Sequence, residues 1–200
     1  MPKTRSIITA IIATLLLVAG CGNDEPDNET HTGANGDEFN DADIAFATDM
    51  IPHHAQALAM VDLTMGRNLD PAVQKLTDDI RGAQAPEIEQ MSGWLRDWDE
   101  PIPETMRDHA HGDDMTMDED MASDMPGMMS ADEMRELAKA RGDEFQTMWL
   151  EMMIDHHEGA IEMAQAEQTD GTFQPAIDLA ESIEKSQQAE IAKMETLLDS

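Results

Sequence analysis

Two His-His dipeptides, His53-His54 and His156-His157, stand in matching surroundings. Met50 and Met60 flank the first pair, and Met153 and Met163 flank the second at the same distances. Met152 lies four residues before His156. Imidazole binds copper in both oxidation states as well as zinc, whereas thioethers prefer Cu(I), so the two together select copper among biological metals. Adjacent residues on a helix point about 100° apart. One imidazole of each pair can therefore face a core while its neighbour flanks the seam. A second reading uses the same residues: buried histidines as polar core features, and methionines as adaptable core filling.

A second set of candidate ligands lies in residues 99–129. After Pro101 and Pro103 come His109, His111, Met106, Met115, Met117, Met121, Met125, Met128 and Met129, among many Asp and Glu. Apart from these methionines the stretch has no apolar periodicity. Thioethers two to four residues apart on a pliable chain can wrap a Cu(I) or Ag(I) ion. They do not titrate, so such a site survives acid. The competing reading is a solvated methionine-rich loop that serves as an oxidant sink.

The elements that position these residues come from an internal repeat. Met50–Met60 recurs as Met153–Met163 at an offset of 103. The same offset carries Ile80, Gln84, Glu87, Ile88, Met91 and Leu95 onto Ile183, Gln187, Glu190, Ile191, Met194 and Leu198. Each unit reads as two helices. Apolar residues recur at helical spacing over 41–66, and Gly66 to Leu69 break the pattern. Asp70-Pro71 reads as an N-cap with proline in the first turn, and a second stripe runs to about Trp98. Ser130 to Glu133 forms a capping box. A third helix is thus expected from about 131 to about Gln168, stopped by Asp170-Gly171, and a fourth over about 173–199. No segment alternates with period two. The expected fold is all-α: a four-helix bundle made of two duplicated helical hairpins, repeat 1 over 41–98, linker 99–129 and repeat 2 over 130–200. In an antiparallel hairpin, Gln84 then faces His53 and Gln187 faces His156, and a pseudo-twofold brings all four imidazoles into one central layer. Pro52 and Pro86 fall in that layer in the first unit only; they read equally as deliberate kinks or as drift after duplication.

The beginning of the chain reads as an export address. Lys3 and Arg5 precede an uncharged apolar run, Ile7 to Ala19, which is shorter than the ~20 residues of a comfortable membrane span. It ends in Leu17-Val18-Ala19-Gly20 before Cys21, the one cysteine of the chain. This arrangement resembles a bacterial lipobox, in which the signal peptide, residues 1–20, is removed and Cys21 is lipidated. Residues 21–40 are polar and acidic, and read as a disordered tether.

Charge and composition exclude several classes. A net charge of -31 rules out an electrostatic nucleic-acid binder and disfavours adsorption to anionic lipid. One cysteine rules out an intramolecular disulfide and a cysteine-rich zinc module. There is no catalytic Ser/His/Asp order and no phosphate-binding glycine loop, and no enzyme activity is expected.

The paired motifs, Met50-Ile51-Pro52-His53-His54 and Met153-Ile154-Asp155-His156-His157-Glu158-Gly159-Ala160, resemble the bacterial family called domain of unknown function 305. The likeness covers about 41–200. It implies a ferritin-like bundle in exported, often lipid-anchored proteins, some of which are implicated in copper binding and resistance. By position it points to His53, His54, His156 and His157, with Met50, Met60, Met153 and Met163 beside them. The leading expectation is a copper buffer or chaperone, anchored at the membrane through Cys21 and exposed outside the cytoplasm, with a copper donor or acceptor protein as partner. The alternatives are a structural or partner-binding bundle without metal and, less favoured, a di-iron oxidase. The latter needs Glu three residues before a histidine, where Met50, Ile51, Met153 and Ile154 stand instead.

Overall fold

The computed structural model describes residues 29–105 and 125–199. Helix α1 spans Asp41–Asp62 and begins at a capping box: Asn40 accepts from the Asp43 amide, and the Asp43 carboxylate accepts from the Asn40 amide. Helix α2, Pro71–Asp97, starts where Asp70 accepts from the Ala72 amide and Pro71 has no N–H to leave free. Both helices continue through their internal prolines, Pro52 and Pro86. Helices α3 (Ala131–Lys139), α4 (Gly142–Asp170) and α5 (Gln174–Leu198) complete the helical set among the described residues.

The expected third helix is therefore two. Ala140 and Arg141 adopt extended backbone, and Gly142 turns at φ 57 before α4 begins. Arginines satisfy the carbonyls that this break exposes. Arg67 donates to Ala138 O and Ala140 O and lies 3.7 Å over the Phe145 ring, while Arg141 donates to Ala138 O, Lys139 O and Ala140 O. The break lets α3 fold back and bury Leu137.

The expected tether ends sooner than residue 40. Strand β1 (Thr30–Thr32) pairs antiparallel with β2 (Glu38–Asn40), His31 opposite Phe39. Gly36 turns the hairpin at φ 91, a left-handed conformation that glycine adopts without strain. The polar composition hides one anchor: Phe39 is buried and stacks on Trp98 with ring centroids 4.4 Å apart.

Helix α1 packs on α2 and α4 on α5, and the hairpins meet mainly through α1 and α4. The core forms two apolar clusters. One joins the first half of α1 (Phe46, Met50) and the end of α2 (Met91, Leu95) to the second half of α4 (Ala160, Ala164) and the start of α5 (Ala176, Ile183). The other joins the complementary halves: Ala57 and Met60, Leu76 and Ile80, Trp149 and Met153, and Met194. Residues related by the 103-residue offset exchange clusters, as Met50 and Met153 do, or Ile80 and Ile183. The pseudo-twofold thus runs across the bundle with α1 and α4 antiparallel. Between the clusters, at the middle of every long helix, lies a layer that is not apolar.

Candidate metal centre

That middle layer contains both His-His pairs. His53, His54, His156 and His157 are all fully buried, together with Gln56, Gln84 and Gln187. The rings of His53 and His156 meet across the α1–α4 seam with centroids 3.8 Å apart and planes tilted by 39°, and the His157 ring centroid lies 6.4 Å from that of His156. The expected gathering of four imidazoles is therefore present.

Each outer imidazole meets a carboxylate on its hairpin partner. His54 Nε2 is 2.7 Å from Glu87 Oε2, and His157 Nε2 is 2.8 Å from Glu190 Oε2. Both links span 33 residues, so the duplication is kept at atomic detail. His53 Nε2 instead donates to the Pro126 carbonyl at 3.0 Å. His156 makes no well-formed hydrogen bond through either nitrogen, with the His53 backbone alongside. Five imidazole nitrogens are buried without a hydrogen-bond partner: Nδ1 of all four histidines and Nε2 of His156. The side-chain amide of Gln84 and Oε1 of Gln187 are in the same state.

Burial disfavours the charged form of three of these rings. Burial, and then the neighbouring His54, press His53 down to about 3. Burial followed by His53 holds His156 well below the ordinary 6.5. Burial lowers His157 as well, against the pull of Glu190. A neutral imidazole keeps the lone pair that a metal needs.

The linker closes the layer on one side. Gln56 grips the backbone of Met129 through two bonds, donating to its carbonyl at 2.8 Å and accepting from its amide at 2.7 Å. Gly159 occupies the position related to Gln56, and a Cβ there would lie 2.7 Å from Gly127 N and closer still to the Pro126 carbonyl. Glycine is required because the linker backbone lies directly on helix α4 at this point.

The thioethers are differently placed. Met50 is buried in the first cluster, Met60 and Met153 are buried in the second, and Met163 is half-buried against the first. Met129 is buried in the second cluster, and Met125 and Met128 are half-buried and belong to neither cluster. His109, His111, Met106, Met115, Met117, Met121 and Cys21 lie outside the described residues. Among the described residues no three His, Cys, Asp or Glu side chains already converge as a ligand set. The donors that fit a metal are the neutral imidazoles, which have lone pairs and no partner to spend them on.

Sequence reasoning missed Glu87, Glu190, Gln56, Gly159 and Pro126. Facing arithmetic chose Gln84 and Gln187, one turn short of the carboxylates that the histidines reach. The repeat held the signal, since Glu87 and Glu190 correspond by the same offset as the His-His pairs.

The family model described as "Domain of unknown function (DUF305)" matches residues 43–198. A DUF305 protein from Streptomyces coelicolor is 32% identical, over 79% of this chain and 92% of its own, with a TM-score of 0.67. A DUF305 fragment from Deinococcus radiodurans is 28% identical, over 80% of this chain and 96% of its own, again at 0.67. CopM in its Cu(II)-bound form is 28% identical over 78% of this chain and 95% of its own, at 0.62. CopM is also known in Cu(I)-bound, Ag-bound and apo forms, each 26% identical to this chain. No curated protein sequence matches. With the family model spanning most of the chain and two of its members sharing the helical fold, the protein belongs to the DUF305 family.

Proposed function

We propose that this protein binds copper, as Cu(I), in the imidazole layer between its two apolar clusters, and buffers it or passes it to a partner protein outside the cytoplasm. One observation carries the reading: five buried imidazole nitrogens make no well-formed hydrogen bond. A buried polar atom without a hydrogen bond costs about 1–3 kcal/mol, and natural cores rarely keep several together without a use. Stability alone does not explain this layer, whereas metal coordination uses those lone pairs. Its relative CopM has Cu(II)-, Cu(I)- and Ag-bound forms, which supports the choice of metal. Another relative is described as secreted, which supports an extracytoplasmic location. Attachment to the membrane through lipidated Cys21 belongs to the same proposal and rests on the order of signal, small residues and cysteine.

In this reading His53, His54, His156 and His157 supply nitrogen, and burial disfavours the charged form of His53, His156 and His157. The flanking clusters exclude water. Met50, Met60, Met153 and Met163 stand on either side as thioether neighbours. Coordination and release are the whole chemistry, with no catalytic residue and no reaction.

The burial of Met50, Met60 and Met153 in apolar clusters favours a second reading for the thioethers, as core filling in a structural bundle. A Cu(I) titration of residues 22–200 against a competing chelator separates the readings. The intact chain is compared with a form lacking 106–124 and a form with all four histidines changed to Gln. The expected result is a tight site that survives the deletion and disappears in the histidine variant while helicity is retained. Loss with the deletion alone moves the site to the linker. No Cu(I) bound more tightly than by a generic acidic protein supports the structural bundle.

A further inference from the structure

Resting on the metal-binding reading above, we propose that Glu87, Glu190 and the Pro126 carbonyl are positioning groups that fix His54, His157 and His53 as Nε2–H tautomers, so that Nδ1 is the atom each offers to a metal ion. The three contacts have one chemical meaning. A carbonyl oxygen only accepts, so the 3.0 Å contact from His53 Nε2 to Pro126 O requires the proton on Nε2. A glutamate oxygen stands 2.7 Å from His54 Nε2 and another 2.8 Å from His157 Nε2, each placed to accept from an Nε2–H. The opposite tautomer would set two lone pairs against each other there, and would bury an Nδ1–H with no acceptor. In all three rings the free nitrogen is Nδ1, and in all three it is buried. Histidines that bind metals usually donate their other nitrogen to a carboxylate or carbonyl, which fixes the tautomer and raises the basicity of the ligand atom.

The alternative makes the glutamates ligands themselves. A metal at ~2 Å from each of Nε2 and Oε2 needs that pair opened well beyond hydrogen-bond distance. As they stand, the pairs hold a proton. Two of the three acceptors are related by the duplication. The third comes from the linker and is held by Gln56 through Met129 and by the absence of a side chain at Gly159. Linker and hairpins thus do the same work on different rings.

The test reads tautomers directly, in the metal-free protein labelled with 15N at histidine, by two-bond proton–nitrogen correlation. The expected spectrum shows Nε2–H for His53, His54 and His157. Ag(I), a diamagnetic probe, then shifts Nδ1 of these rings and leaves their Nε2 protons in place. Glu87→Ala releases the tautomer of His54 and weakens Ag(I) binding about 10–100-fold. Glu87→Gln keeps an oxygen acceptor and restores most of both, which a merely structural loss does not predict. Nδ1–H tautomers in the unaltered protein, or Nε2 protons displaced by Ag(I), overturn the proposal without need of any variant. Ag(I) that moves no imidazole overturns the metal-binding reading on which the proposal rests. The metal-free tautomers then tell that failure from a failure of positioning.

Discussion

Replacing Gly159 with alanine sets two well-defined effects against each other. Within a helix, alanine is favoured over glycine by about 1 kcal/mol. At Gly82, exposed on α2 with nothing within 4 Å of a Cβ, that gain should appear undiminished. At Gly159 the new methyl meets backbone, with Gly127 N at 2.7 Å and the Pro126 carbonyl nearer. Backbone cannot rotate aside as a side chain does, so the linker must shift. A shift of an ångström is enough to break the 3.0 Å bond from His53 to Pro126, and His53 is fully buried. Orphaning a buried donor costs about 1–3 kcal/mol. The propensity gain is common to both variants, so Gly159→Ala should fall below Gly82→Ala by about 1–3 kcal/mol. Urea unfolding followed by helical circular dichroism measures the difference. Hydrogen exchange at the Met129 amide, which donates to Gln56 Oε1 at 2.7 Å, reports the local event and should speed up in Gly159→Ala alone. Equal stabilisation by both substitutions, with Met129 still protected, would refute the docking of the linker on the histidine layer.

Other outcomes follow from buried charge and packing. Burial, and then the carboxylate of Asp43, raise Glu167 to about 9, so the folded protein holds a proton there that the unfolded chain releases near 4.5. Stability should therefore decline as pH rises through that interval, by up to about 1.4 kcal/mol per pH unit, and Glu167→Gln should flatten the decline in urea midpoints. The histidines act in the opposite direction. His53, His156 and His157 are lowered in the fold, so their contribution is present above 6.5 and is lost as pH falls from there, toward about 3 for His53. Acid unfolding should begin below 6.5, and His156→Gln should lessen its steepness. Phe39→Ala should cost about 3–5 kcal/mol and alter tryptophan fluorescence through Trp98; a loss below about 1 kcal/mol would mean that the hairpin does not stabilise the bundle.

Much of the bundle was legible because duplication writes each helical stripe twice. A periodicity that is suggestive once becomes secure when it recurs at one offset, and the histidine layer came with it. What stayed hidden depends on contacts between residues far apart in the chain. Ala140 and Arg141 are acceptable in a helix, and the break there is stabilised by Arg67 from the other hairpin. Residues 30–40 look like a tether by composition, yet one phenylalanine meeting Trp98 is enough to dock them. Asp43 completes the capping box of α1, which the sequence reading passed over, and it has a second task. It also accepts from the Thr172 and Phe173 amides, at the start of a helix whose own N-cap residue, Phe173, cannot cap. In the other unit Gln146 does this for Asp70, which caps its helix as well.

The departures from symmetry have a common cause. Two hairpins related by a twofold present two equivalent faces at the α1–α4 seam, and the described linker residues Pro126, Gly127 and Met129 lie on one of them. The residues touching it had to diverge from their counterparts. Gln56 grips Met129, whereas its counterpart Gly159 yields space to Pro126 and Gly127. His53 receives a carbonyl acceptor from the linker, whereas its counterpart His156 makes no well-formed hydrogen bond and has only the His53 backbone alongside. The outer pairs, His54 with Glu87 and His157 with Glu190, make no hydrogen bond to the described linker residues and remain alike. Pro52 and Pro86, with Asp155 and Ala189 as counterparts, also differ, but among the layer's hydrogen-bonding side chains the divergence follows the linker, as a site under constraint from both repeats would leave it. Drift after duplication would have scattered the differences over the outer pairs as well.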